Sequence, residues 1–200
     1  MSAFSNKSAN VLAEFGSHKV RNGMVIFTLG HSEDVINILS KAKDKGTNFQ
    51  VNIIESTPKS QGRKTAVKLA KKDIKVNYFA DSAMRLAIKN SDIVLLGADA
   101  VTQRGVVYAD IGSEAVSELA AKYDIPVYFC ISIGKKHKEI VQRYEKSKSL
   151  ESARELWNIK SKRINILNYK YEKVNPRLIT GMISDAGILK VPHFISELRE

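Results

Sequence analysis

Three short stretches carry residues able to do chemistry. "TLGHS", Thr28–Ser32, follows the apolar run Met24-Val25-Ile26-Phe27 and puts a glycine, a histidine and a hydroxyl where a helix opens. "ESTPKSQGRK" closes a second apolar run at Glu55 and enters a helix through Gln61, Gly62 and Arg63. "LLGADAV" sets Asp99 just beyond a third. In α/β proteins, ligands and catalytic groups collect at the C-terminal ends of strands. Backbone N–H groups at the helix starts, with Arg63 beside them, would make an anion site. Asp99 could be a general base or a hydroxyl acceptor; it could equally be an N-cap or turn residue. His31 could exchange protons or simply be a polar surface residue, and Gly30 could serve only to permit a tight turn. Cys130 reads as a small buried hydrophobe, since no basic neighbour would activate its thiol. His137, in a lysine-rich stretch, reads as solvated. There is no GxGxxG and no GxxxxGK[ST], so dinucleotide and P-loop chemistry lack support. One cysteine and four scattered histidines give no zinc spacing. Neither a cofactor nor a metal is expected.

The elements that must position these residues are short apolar, β-branched runs alternating with amphipathic segments. Strands are expected at Met24–Thr28, Gln50–Glu55, Val76–Phe79, Ile93–Gly97, Val127–Ile131 and Ile164–Asn168. Helices are expected at Glu33–Lys43, Ser60–Lys72, Ser82–Asn90, Ser113–Tyr123 and about Lys148–Ile159. Ser32, Ser60, Asp81 and Ser113 are candidate N-caps. Strands too apolar to leave one face wet, alternating with helices, predict an α/β, Rossmann-like, doubly wound, mostly parallel sheet. The opening residues read as one amphipathic helix with Val11, Leu12 and Phe15 on a common face. The chain divides into this N-terminal helix, 1–22, and one Rossmann-like domain, 23–200, with no linker or repeat.

The 200 residues are 44% hydrophobic and carry a formal charge of +11. That content can bury one sizeable core. No apolar run reaches about 18 residues, so no membrane span is expected. The start has neither the basic nor the apolar region of a secretory signal. A single cysteine excludes an internal disulfide and suits a reducing, cytoplasmic setting. The positive charge would attract nucleic acid, a phosphorylated ligand or an acidic protein; a lysine-rich solvated surface explains it equally. The most basic stretch, Gly134–Arg163, reads as a solvated loop plus a surface helix, with an electrostatic docking patch as the other reading.

The stretches "ESTPKSQGRKTA", "ADSAMRLAIKNSDIVLLGADAVTQRGVVYADIGSEAVSELAAKYDIPVYFC" and "NPRLITGMISDAGIL" resemble, in order and spacing, the translation initiation factor 2B alpha/beta/delta family. That family includes methylthioribose-1-phosphate and ribose-1,5-bisphosphate isomerases. The ending "HFISELRE" is similar to the tail of the alpha-type regulatory subunits. The resemblance implies a family N-terminal helical domain, most of which this chain would lack. It adds Asp81, Ser82, Gly112 and Ser113 to the candidate ligand-binding residues. It also implies a catalytic cysteine at the position of Gly30 and a catalytic aspartate retained as Asp99. The family's Asn-Lys-Ile-Gly-Thr reads Ala109-Asp110-Ile111-Gly112-Ser113 here, and an aspartate in place of lysine repels a phosphate.

Two functions follow from the resemblance. One is a non-catalytic regulatory or binding protein in translation initiation, with a nucleotide or sugar phosphate in a remnant pocket. Its expected partners are a second copy, translation initiation factor 2 or other initiation-factor subunits, and RNA through the basic surface, with no membrane. The other is a sugar-phosphate aldose–ketose isomerase with a rearranged site around Asp99.

Overall fold

Strand side chains alternate between faces, and here both faces are apolar. A computed structural model describes residues 3–102, 104–132 and 150–197. Its main sheet holds seven strands in the order β10-β9-β7-β4-β1-β2-β3. These are β1 (Val25–Thr28), β2 (Gln50–Ile54), β3 (Lys75–Phe79), β4 (Ile93–Gly97), β7 (Val127–Cys130), β9 (Gly181–Ser184) and β10 (Gly187–Leu189). All pairings are parallel except the β9–β10 hairpin. Ile26, Val51, Ile93, Leu95 and Cys130 point to one core; Phe27, Ile54, Val94, Leu96 and Phe129 point to the other. The first core is covered by α1 (Ala3–Ser17), α2 (Glu33–Asp44) and α3 (Gln61–Ala70); the second by α4 (Met84–Lys89), α5 (Ser113–Lys122) and the terminal helix Val191–Glu197. The fold is thus the expected doubly wound α/β sheet. The order of winding reverses between β1 and β4, the place where such sheets open a crevice.

A second sheet, antiparallel and not foreseen, is laid beside that crevice. It joins β5 (Ala100–Val101), β6 (Val107–Asp110) and β8 (Tyr171–Val174). Asp110 pairs with Tyr171 across it. The strand expected at Ile164–Asn168 is not one: Ile164 and Leu167 are exposed, so no burial rewards an extended pairing there. Strand β8 begins instead at Tyr171, against β6.

The expected helix at about Lys148–Ile159 shrinks, within the described residues, to α6 (Ala153–Leu156), because the backbone is extended at Trp157. Lys148 and Ser149, like Gly134 and His137, lie outside the described residues. The face expected for α1 also needs correction. Leu12 and Ala13 are buried, whereas Val11 and Phe15 are 36% and 38% exposed.

Of the expected caps, Ser32 holds α2 by accepting the Val35 N–H at 3.4 Å. Ser60 precedes α3, but its hydroxyl donates to Glu55 at 3.0 Å instead. Asp81 starts a single 3-10 turn, Asp81–Ala83, leading into α4. Ser113 is the first residue of α5, and Gly112 is the cap, with φ +97°. Among the described residues no helix is long and apolar enough to cross a membrane.

Candidate functional site

At the reversal point lies a cavity of about 300 Å³. Its floor is the end of β4, Leu96 to Asp99; its sides are His31, Ser32 and Glu33 from the start of α2, Gln61 from α3 and Ser113 from α5. Asp110 and Tyr171 from the second sheet, with Lys170 just before β8, complete it. A smaller annex of about 50 Å³ lies between Gly30, the Ser56–Lys59 loop, Glu151 and Lys170.

Gly30 has φ +67°, a conformation other residues adopt only under strain. A Cβ there would stand 2.6 Å from the Asp110 carboxylate. The turn around it is fixed by a relay. Asp81 accepts the N–H groups of Ser56 and Thr57 at 2.7 and 2.9 Å and the Thr57 hydroxyl at 2.7 Å. Ser56 in turn accepts the Gly30 N–H at 2.8 Å. On the other side the Thr65 hydroxyl donates to the Gly30 carbonyl at 2.8 Å. Burial opposes ionisation of Asp81, but the Thr57 and Ser56 donors outweigh it and hold its carboxyl below the usual range.

His31 is held from both ends, with Nδ1 2.9 Å from the Thr65 hydroxyl and Nε2 3.0 Å from Glu33. Glu33 also binds Lys68, and that hydrogen bond is the chief reason its carboxyl is held low, although burial opposes it.

Asp110 differs. Burial, then the nearby Asp99 charge, push its carboxyl up to about 7, against partial relief from Lys170 and Lys59. Lys170 lies 3.5 Å from Glu151, which also binds Lys59. A further carboxylate, Glu172, faces the start of α5. It accepts the Glu114 N–H at 2.8 Å, and burial pushes its carboxyl up against the opposing pull of the backbone N–H groups at the start of α5. One donor of the first turn of α5, a natural anion seat, is therefore taken from within.

The cavity brings together His31, Ser32, Gln61, Asp99 and Ser113 among the candidates, and Gly30 lines its annex. The others lie elsewhere. Glu55 and Arg63 pair with each other at the sheet edge, and Arg63 also reaches the Tyr78 hydroxyl at 3.4 Å. Gly62 brings α3 onto the end of β2, where any Cβ would strike the Ile54 carbonyl at 1.9 Å. Asp81 works through Ser56, Ser82 is exposed, and Gly112 caps α5. Asp110, Lys170, Tyr171 and Glu172 escaped the candidate set because pattern reading did not foresee the second sheet that delivers them. Cys130 lies in the core beneath α1 and α2, where burial, then Asp34, push its thiol well up. Among the described residues no group of three or more His, Cys, Asp or Glu could hold a metal ion.

Comparison with known proteins now decides the family. Residues 2–191 match the model of the initiation factor 2 subunit family. The chain belongs to that family. This initiation factor 2 subunit family member is similar to ribose 1,5-bisphosphate isomerase of Thermococcus kodakarensis, 30% identical across 98% of this chain and 62% of the relative. It is also similar to translation initiation factor eIF2B subunit delta of Schizosaccharomyces pombe, 27% identical across 96% of this chain and 45% of the relative. Among solved structures, the Pyrococcus horikoshii translation initiation factor eIF-2B superposes with a TM-score of 0.81 at 25% identity, covering 96% of this chain and 67% of that one. The chain thus spans less than two thirds of the length of these two curated relatives. The family holds both isomerases and initiation-factor subunits, so membership leaves an enzymatic and a regulatory role both open.

Proposed function

We propose that this family member is a non-catalytic regulatory or binding protein of translation initiation. The observation that carries the reading is the seat at position 30. A glycine stands there with the Asp110 carboxylate filling the space of a side chain, while the only cysteine is sealed in the core. The resemblance implies an isomerase that uses a thiol and an aspartate together, and removing one member of such a unit costs most of the activity.

A macromolecular partner is supported by two features. The charge of +11 favours long-range attraction to an acidic surface. Leu156, Trp157, Leu167 and Tyr169 expose apolar area along one segment, a pattern of interaction surfaces. The partners proposed are a second copy of the chain and translation initiation factor 2 or another initiation-factor subunit, in the cytoplasm. Tagged full-length protein should recover initiation factor 2 from lysate at low salt, with recovery falling as salt rises. No recovery at low salt overturns the reading.

One observation favours a second reading, an aldose–ketose isomerase with a rearranged site. Asp99 and Asp110 share the cavity, and a carboxyl at about 7 can exchange a proton near neutral pH. Ketose formation from ribose 1,5-bisphosphate or methylthioribose 1-phosphate, abolished by Asp99→Asn, would put this reading in place of the first.

A further inference from the structure

We infer that the cavity takes an uncharged, polyhydroxylated ligand of the sugar type and discriminates against its phosphorylated counterpart. The inference rests on the reading above only in treating the cavity as a binding site.

Three observations carry it. First, the cavity has the size for one small molecule, near the lower end for ligand pockets. Its lining suits hydroxyl groups: Asp99 and Asp110 accept, Ser113, whose proton goes to the Asp110 carbonyl at 2.7 Å, accepts as well, and Ser32 and the Gln61 amide both donate and accept. Second, one donor of the anion seat that the fold would offer is already taken. Glu172 accepts the Glu114 N–H from the first turn of α5, so a phosphate approaching Ser113 finds a donor fewer and a carboxylate close by. Third, Asp110 stands over Gly30 at the junction of cavity and annex. A phosphate entering there meets a second carboxylate, with Asp99 alongside. The cations there, Lys170 in both linings and Lys59 in the annex, are each engaged with Glu151. A sugar hydroxyl suffers none of this, and a vicinal diol can bridge two acceptors.

The test compares D-ribose with D-ribose 5-phosphate on the full chain, followed through the backbone amide resonances of Gly30 and Gly112. In the wild type at pH 8, where Asp110 is ionised, ribose should shift both resonances with a dissociation constant at least about threefold lower than that of the phosphate, the size expected for like charges meeting in a partly wet site. Asp110→Asn keeps the size of the side chain and removes its charge, so it should narrow or reverse the preference. Glu172→Gln, which empties the anion seat of charge, should raise the affinity for ribose 5-phosphate on its own. Tighter binding of the phosphate to the wild type would overturn the inference. So would the absence of shifts at both glycines with either sugar. Neither outcome bears on partner capture from lysate, so the two readings fail separately.

Discussion

The carboxylate of Asp110 sits 2.6 Å from the point where a Cβ on Gly30 would stand, so these residues, 80 apart in sequence, share one volume. Each constrains what the other can be. The Gly30 turn, anchored through Ser56 and Thr65, cannot move aside for a larger side chain.

Gly30→Cys should therefore destabilise the fold by about 1–3 kcal/mol, from the left-handed backbone and the clash together. Asp110→Ala removes the obstacle but not the backbone strain, so the double variant should recover part of the loss. Urea unfolding of the four proteins measures the coupling, about 0.5–3 kcal/mol for residues in contact. Strict additivity would mean that the two do not compete for space.

Asp110 should also make the protein less stable as pH rises. Its folded value of about 7 lies above the ordinary 3.8, so between these the folded state holds more protons than the unfolded one and stability falls. The upper bound is about 4 kcal/mol, complete above pH 7 and absent below pH 4. The groups facing Asp110 are Asp99, Lys170, Glu151 and Lys59. Asp110→Asn should be more stable than wild type at pH 8 and equal to it near pH 4. A constant difference across that range would assign the effect elsewhere.

Asp81 carries the opposite sign. Its folded carboxyl is held below 3.8, so its contribution is fully present above that value and lost as pH falls below it. Asp81→Ala removes the acceptor of three hydrogen bonds, one part-buried and two exposed, at a cost of about 0.5–1.5 kcal/mol. Amide exchange at Gly30 should accelerate in this variant, since Ser56 is no longer held. Unchanged exchange at Gly30 would break the proposed relay.

Trp157→Asp should weaken self-association without unfolding the chain. Trp157 is 55% exposed and Leu156 50%, so the protomer loses little of its own packing. Sedimentation of wild type and variant, with circular dichroism as the control, reads both quantities. Equal sedimentation coefficients would remove this segment from the assembly surface.

The parallel layers were legible in the sequence because their signal is local. Alternating runs such as Ile26-Phe27 and Ile93–Leu96 feed two cores, and apolar periodicity reports that directly. The turns at Thr28–Ser32 and beyond Gly97 were legible for the same reason, and with them His31, Ser32 and Asp99. The second sheet was not. Its strands are short, and β6 and β8 are brought together from either side of α5 and β7, so no window of sequence contains the pairing. "INIL" at Ile164–Leu167 looked more strand-like than "YEKV" at Tyr171–Val174 because local pattern cannot tell which segment finds an edge to pair with. What the sequence determined alone was a doubly wound sheet and the strand ends where a site must lie. What only the tertiary structure decided was the character of that site. Asp110 reaches it, and Glu172 reaches the start of α5 beside it, through long-range pairing, and their charge and burial exist only once the two sheets have come together.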